Sequence, residues 1–97
     1  MELFEPLDEG YTIYSKSGCV NCSKIKQLFK LKNIFFVEVN CDEVLLENKE
    51  QFLLTISEMA QKECKVFPMI FYNGKFIGGY NEAKENMEKL EVIFDDI

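Results

Sequence analysis

Tyr11-Thr12-Ile13-Tyr14-Ser15-Lys16-Ser17-Gly18-Cys19-Val20-Asn21-Cys22-Ser23 is the stretch whose reading decides the fold. Its first five residues form a β-rich run, too short for a helix and bounded by Gly10 and Gly18, so they read as a strand. From Ser23 to about Lys32 the apolar residues Cys22, Ile25 and Leu28 or Phe29 recur at helical spacing, with lysines on the other face. Two cysteines separated by two residues stand where strand gives way to helix. A helix N-terminus presents unpaired N–H groups and the positive end of its macrodipole to the first sulfur. That setting favours thiolate over thiol, and thiolate is the nucleophile of disulfide exchange. Lys16 lies three residues upstream, and Gly18 leaves the sulfur open to approach. Cys19 therefore reads as the attacking thiol and Cys22, one turn further in, as the resolving thiol. A buried apolar cysteine pair and half of a zinc site are the other readings. Zinc calls for a second close pair, and Cys41 and Cys64 are solitary, so redox chemistry is preferred. Both of those cysteines read as small buried apolar residues, although Cys64, four residues before Pro68, is also placed at the edge of a groove.

Ninety-seven residues, 47% of them apolar, suffice for one domain with a modest core. Residues 1–97 are read as that single domain, with 1–10 an N-terminal extension whose Leu3, Phe4 and Leu7 pack on the body. The acidic start Met1-Glu2-Leu3-Phe4-Glu5-Pro6 does not look like a signal peptide, and no stretch of about 18 apolar residues offers a membrane span. A reducing cytoplasmic setting is expected, in which disulfides are transient and catalytic. Net charge is −6, and all eleven basic residues are lysine. With no basic excess to neutralise phosphates, nucleic-acid binding is not expected. The chain contains no histidine, which excludes a Ser-His-Asp or Cys-His hydrolase and any His-ligated zinc.

Further along, Phe35 to Val39 reads as a second strand. Phe52, Leu53, Ile56, Met59 and Ala60 mark an amphipathic helix from roughly Leu46 to Lys62. Met69 to Tyr72, then Asn73-Gly74, then Lys75 to Ile77 is a hairpin signal, since a type I′ turn needs positive φ at both central residues. Gly78-Gly79 ends that strand. Asn81 is a candidate N-cap for a last helix with the stripe Ala83, Met87, Leu90 and Phe94. The expected fold is α/β and thioredoxin-like, a four-stranded mixed sheet flanked by helices in the order β-α-β-α-β-β-α. The first two strands should be parallel and the last two antiparallel.

Three of these segments together resemble the glutaredoxin family. Tyr14-Ser15-Lys16-Ser17-Gly18-Cys19-x-x-Cys22 is similar to its dithiol active-site segment and Phe67-Pro68-Met69-Ile70-Phe71 to its cis-proline segment. Gly78-Gly79-Tyr80-Asn81-Glu82 resembles its Gly-Gly-x-(Ser/Thr)-Asp glutathione motif. The resemblance implies that Cys19 attacks a protein disulfide or a glutathionylated cysteine and that Cys22 resolves the mixed disulfide. It implies that Lys16 holds the glycine carboxylate of glutathione. Phe67, ahead of a cis Pro68, would offer its backbone to the cysteinyl backbone as a short extra strand. Gly79, Tyr80 and Asn81 would receive the γ-glutamyl carboxylate at a helix N-terminus, and Glu82 would meet the ammonium group. By its position Glu82 also reads as a first-turn acid that complements the helix dipole. Glutathione enters as co-substrate, with no metal expected, and family potentials lie at about −200 to −230 mV. Partners implied are glutathione and disulfide or glutathionylated proteins, ribonucleotide reductase among them by family analogy, with no membrane and a monomeric state.

Some positions depart from the family pattern. Val20-Asn21 replaces the usual Pro-Tyr between the cysteines. Val66-Phe67 replaces Thr-Val, which is expected to set a larger ring beside the groove. Lys65 is the candidate for a missing Gln or Arg that helps to bind the glycine carboxylate. Val20 keeps a second reading open, an electron donor reduced by thioredoxin reductase, whereas Lys16 and Gly78-Gly79-Tyr80 favour glutathione. A third reading, an iron–sulfur carrier ligated by Cys19 and glutathione between two subunits, is disfavoured by the second cysteine, Cys22.

Overall fold

β1 (Tyr11–Ser15), α1 (Val20–Leu31), β2 (Phe36–Asn40), α2 (Asp42–Ala60), β3 (Met69–Tyr72), β4 (Lys75–Gly78) and α3 (Tyr80–Asp95) follow one another in the order read from the sequence. The computed structural model describes the backbone of residues 3–95 and the side chains of residues 3–90. Phe94, expected on the apolar stripe of the last helix, therefore has its side chain outside the described residues, as do residues 1 and 2.

The sheet order is β2-β1-β3-β4. β1 runs parallel to β2 and antiparallel to β3, and β3 pairs antiparallel with β4. All five residues of β1 are buried, as a central strand covered on both faces requires. Alternation then divides the core. Tyr11, Ile13 and Ile70 meet Ile25 and Phe29 of α1 and Ala83 and Met87 of α3 on one face. Tyr14, Met69 and Phe71 meet Phe52 and Ile56 of α2 on the other, joined by Cys22, Cys41, Cys64 and Phe67. This is the α/β thioredoxin-like fold, and it brings the C-terminal end of β1 and the N-terminal ends of α1 and α2 to one edge of the molecule.

Element boundaries differ from the sequence expectation where capping decides them. α1 starts at Val20, because Cys19 holds extended backbone angles and its carbonyl accepts from Ser23 N–H at 3.2 Å. β2 is shifted by one residue, to Phe36–Asn40. α2 begins at Asp42 rather than Leu46. Its backbone breaks at Asn48 (φ −159°, ψ 77°), where Asn48 Oδ1 accepts from Gln51 N–H at 3.1 Å as an internal N-cap. The apolar periodicity therefore reported only the second part of this helix. Asn81 is not the N-cap of α3. Gly79 takes that position, its carbonyl accepting from Ala83 N–H at 3.0 Å.

The Asn73-Gly74 turn has φ of +52° and +81°, the pair of left-handed residues a type I′ hairpin needs. Residues 3–10 are tied to the body through Leu7 N–H donating to Thr12 Oγ1 at 2.9 Å and Tyr14 OH donating to the Phe4 carbonyl. Leu3 packs against the α2-side cluster, whereas Phe4 leaves its ring half exposed. Phe52 lies wholly buried and stacks on Phe67 with ring centroids 6.0 Å apart and planes 5° from parallel. Phe52→Ala removes both core volume and the floor of the segment before Pro68. We expect a loss of about 3–5 kcal/mol in unfolding free energy, measured by urea denaturation.

Candidate active site

Cys19 occupies the N-cap of α1 and Cys22 its first turn, which sets their Cα atoms 5.2 Å apart and joins them in a disulfide. Cys22 is 1% exposed, whereas Cys19 is only partly buried. An incoming sulfur therefore meets Cys19 first. Cys22 N–H donates to Cys19 Sγ at 3.2 Å. On reduction the same N–H and the other free donors of the first turn face a Cys19 thiolate and favour it over the thiol. Val20 stands 69% exposed between the two cysteines, and Asn21 is exposed beside it.

The loop that leads into Cys19 is held from two sides. Ser15, at the end of β1, is buried and donates through Oγ to Glu38 Oε2 at 2.6 Å, the atom that also receives Lys26 Nζ at 2.6 Å. Burial pushes the Glu38 carboxyl up, but the hydrogen bonds from Lys26 and Ser15 outweigh it and hold it below the ordinary value. Ser17 N–H donates to Asp42 Oδ1 at 2.8 Å, and Ser17 Oγ–H donates to Asp42 Oδ2. Those bonds, the hydroxyl first and then the backbone N–H, hold Asp42 below its usual 3.8. Gly18 has φ +75° with open space where a Cβ would point, so glycine serves the backbone turn rather than a close approach. The Lys16 ammonium lies 5.5 Å from the centre of the Phe67 ring.

The Phe67–Pro68 peptide bond is cis. Phe67 does not set its ring beside the groove. The ring is 9% exposed and packs inward on Phe52, and Val66 stands out instead, 80% exposed. A large side chain before Pro68 thus feeds the core, not the cleft. Pro68 lines a cleft of about 410 Å³ together with Lys62, Glu63, Cys64, Lys65, Val66, Phe76, Gly78, Gly79 and Glu82. Three of the residues expected to bind glutathione, Pro68, Gly79 and Glu82, meet in this cleft. Lys16 and Phe67 form a separate pair, and neither lines the cleft.

At the start of α3, Glu82 Oε1 accepts from Gly79 N–H at 2.8 Å, the third-residue half of a capping box. Its side chain folds over Gly78, where an added Cβ would lie 2.6 Å from Glu82 Cγ, and Gly78 has φ +131°. Only glycine meets both demands. The first-turn role of Glu82 is therefore realised in this structure, with the carboxylate on its own helix end. Tyr80 is partly buried in the α1–α3 cluster, its ring centre 5.8 Å from the Lys24 ammonium, and Asn81 is exposed. Lys65 reaches Glu63 at 2.7 Å, so the candidate for the missing family cation is already paired.

Three contributors, Asp42, Lys62 and Lys24, escape the sequence reading. Asp42 was invisible because a helix starting near Leu46 left it in a loop. The signal available was the Asn40-Cys41-Asp42 cluster after a strand, where Asn40 Oδ1 accepts from Asp42 N–H at 2.9 Å. Lys62 and Lys24 carry no motif at all.

Cys41 and Cys64 are both buried free thiols. Burial, with Asp42 adding, pushes Cys41 up to about 12, and burial raises Cys64 as well. In the reduced protein at pH 7.5, iodoacetamide should label Cys19 within minutes and leave Cys41 and Cys64 unlabelled until denaturant is added, as read by peptide mass spectrometry. Asp42 titrates lower in the folded protein than in the unfolded chain, so its stabilisation is complete above the unfolded value and is lost as pH falls through the folded one. The urea midpoint of the parent should exceed that of Asp42→Asn at pH 6, and the two should converge only below pH 3.8.

Comparison with known proteins gives this geometry a context. The family model described as Glutaredoxin matches residues 11–77. The human protein named "Glutaredoxin-2, mitochondrial" is 38% identical over 76 residues, which cover 78% of this chain and 44% of the human protein. The chain thus spans less than half the length of that relative. The crystal structure of glutaredoxin 1 from Francisella tularensis, complexed with cacodylate, superposes with a TM-score of 0.70 at 30% identity, covering 82% of this chain and 93% of that one. A buckwheat glutaredoxin–glutathione complex shares the fold with a TM-score of 0.64 at 20% identity, over 87% of this chain and 73% of that one.

Proposed function

The chain belongs to the glutaredoxin family, and from that premise we propose that it is a glutathione-dependent thiol–disulfide oxidoreductase of the dithiol type. The observation that carries this reading is the asymmetry of the pair. A partly exposed Cys19 caps α1 and takes the Cys22 N–H, while Cys22 is buried behind it.

In this reading residues 1–97 act as one domain. The Cys19 thiolate attacks a substrate disulfide, forms a mixed disulfide and releases the other substrate sulfur as thiolate. The Cys22 thiolate then attacks Cys19 Sγ, expels the second substrate sulfur and leaves the Cys19–Cys22 disulfide of the structure. One glutathione thiolate opens that disulfide to a mixed disulfide on Cys19. A second glutathione releases glutathione disulfide and returns both thiols. Two electrons pass from two glutathione molecules to one substrate disulfide.

Glutathione is the ligand bound by the buckwheat relative, and the site offers a counterpart for each of its groups. Lys16 receives the glycine carboxylate, the Phe67 backbone ahead of cis Pro68 pairs with the cysteinyl unit, and Gly79, Tyr80 and Asn81 meet the γ-glutamyl carboxylate. Glu82 turns from Gly79 N–H to the ammonium group. Protein disulfides and glutathionylated proteins are the second substrates, and ribonucleotide reductase is one candidate. The work is placed in the cytoplasm, where a reducing glutathione pool keeps Cys41 and Cys64 as thiols. The human relative carries a mitochondrial name, and a mitochondrial matrix would meet the same requirement.

Exposed Val20 and the engagement of Glu82 with Gly79 favour one second reading, a donor reduced by thioredoxin reductase instead of glutathione. Turnover decides between them. With glutathione, glutathione reductase and a glutathionylated substrate, NADPH oxidation is expected. NADPH oxidation only with thioredoxin reductase would establish the second reading. Cys19→Ser should abolish activity on every substrate. Cys22→Ser should keep reduction of glutathione mixed disulfides, which need one thiol, and lose reduction of protein disulfides. An active Cys19 variant beside a dead Cys22 variant would reverse the two roles.

A further inference from the structure

Asp42 is the first residue of α2, yet both of its carboxylate oxygens are spent on a different element. Oδ1 accepts from Ser17 N–H at 2.8 Å, and Oδ2 accepts from the Ser17 hydroxyl. The Ser17 N–H belongs to the peptide unit that follows Lys16, so the first bond sets the rotation of the Lys16–Ser17 peptide plane. The hydroxyl bond sets a second point one residue on. Next along the chain is Gly18 at φ +75°, a position without side-chain contacts of its own. Among the described residues, no other hydrogen bond holds this exposed Lys-Ser-Gly turn.

We propose that Asp42 is a positioning residue for the redox reaction. Through its two bonds to Ser17 it holds the turn so that the Lys16 ammonium stays over Phe67, beside cis Pro68, ready for the glycine carboxylate of glutathione. The proposal rests on the glutathione-dependent reading above and names the residue that arms it.

Three observations make the case. The clamp is anchored at its own root, because Asn40 Oδ1 accepts from Asp42 N–H at 2.9 Å and Cys41 N–H donates to the Ser15 carbonyl at 2.8 Å. The end of β2 and the end of β1 are thereby laced together on either side of the turn. Lys16 is placed at Phe67 (5.5 Å to the ring centre), which is buried and stacked on Phe52 and so cannot drift to follow it. Asp42 also senses the Lys16 charge, its carboxyl being lowered by Ser17 first and in small part by Lys16. An acid in the first turn of a helix can equally serve the helix dipole alone. That role predicts a loss of stability with no preference for one substrate group, so the two separate in kinetics.

The test uses the reduced full chain with glutathione, glutathione reductase, NADPH and a glutathionylated small thiol as substrate. The variants are Asp42→Ala, Asp42→Asn, Lys16→Ala and the double change of Asp42→Ala with Lys16→Ala. We expect Asp42→Ala to raise KM by about three- to tenfold, the factor of one or two lost hydrogen bonds, with kcat within about twofold of the parent. Lys16→Ala should raise KM at least as far. The double variant should be no worse than Lys16→Ala alone, because Asp42 acts through Lys16. Asp42→Asn keeps the shape and an acceptor for Ser17 N–H, and it should fall between the parent and Asp42→Ala. If Asp42→Ala does not fold, Asp42→Asn in the two Lys16 backgrounds gives the same comparison. An unchanged KM in the Asp42 variants beside a raised KM in Lys16→Ala overturns the proposal and leaves the glutathione reading standing. Losses that multiply in the double variant also overturn it. A parent chain inactive with glutathione removes the reading and the proposal together.

Discussion

Cys22 N–H points at Cys19 Sγ from 3.2 Å, and that short donor–sulfur contact is the interaction around which the rest of the molecule is arranged. It exists because α1 begins one residue after Cys19, with the sulfur at the N-cap where side chains usually offer oxygen to the same donors. An N-cap serine would satisfy the helix; a cysteine there satisfies it and is nucleophilic. No histidine and no arginine is present in the chain, so the helix end and nearby lysines are what can favour the thiolate.

Holding that helix end in place takes most of the fold. β1 is buried along its whole length between a parallel and an antiparallel neighbour, and it delivers the chain to the edge where the dithiol sits. Two side-chain clamps then secure the exit from β1, Ser15 on Glu38 and Ser17 on Asp42. Opposite them, Phe52 of α2 supports Phe67, and the cis Pro68 peptide carries the chain from that buried ring into β3. The chain as a whole is acidic, yet Lys16, Lys62 and Lys65 stand around Pro68 and its cleft. Glu63 and Glu82 line the same cleft and Lys65 is paired with Glu63, so Lys62 and Lys16 are the cations left to meet an anionic ligand.

The short β-rich run of β1, the helical spacing after it and the Asn73-Gly74 turn are local signals, and they made the element order and two of the three strand pairings, β1–β2 and β3–β4, legible in the sequence. The dithiol and Pro68 were legible for the same reason, since a short motif states its chemistry where it stands. What stayed hidden was set by contacts between distant residues. Whether Phe67 faces core or groove depends on Phe52, fifteen positions earlier, and the answer is core. Whether Asn81 or Gly79 caps α3 depends on Glu82 folding back over Gly78, which spacing alone does not reveal. Asp42 was lost with the start of α2, because Asn48 breaks the apolar periodicity and only the later part of that helix repeats cleanly.

These pieces support the proposal that Cys19 exchanges electrons with glutathione held by Lys16, the Phe67–Pro68 segment and the start of α3. The most direct measurement is a crystal structure of Cys22→Ser trapped as its glutathione mixed disulfide on Cys19. The account predicts the glycine carboxylate at Lys16, the cysteinyl backbone paired with Phe67, and the γ-glutamyl carboxylate at the N–H groups of Tyr80 and Asn81, with Glu82 turned away from Gly79. A glutathione moiety tethered through sulfur alone, with Lys16 still on Phe67 and Glu82 still on Gly79, would contradict it.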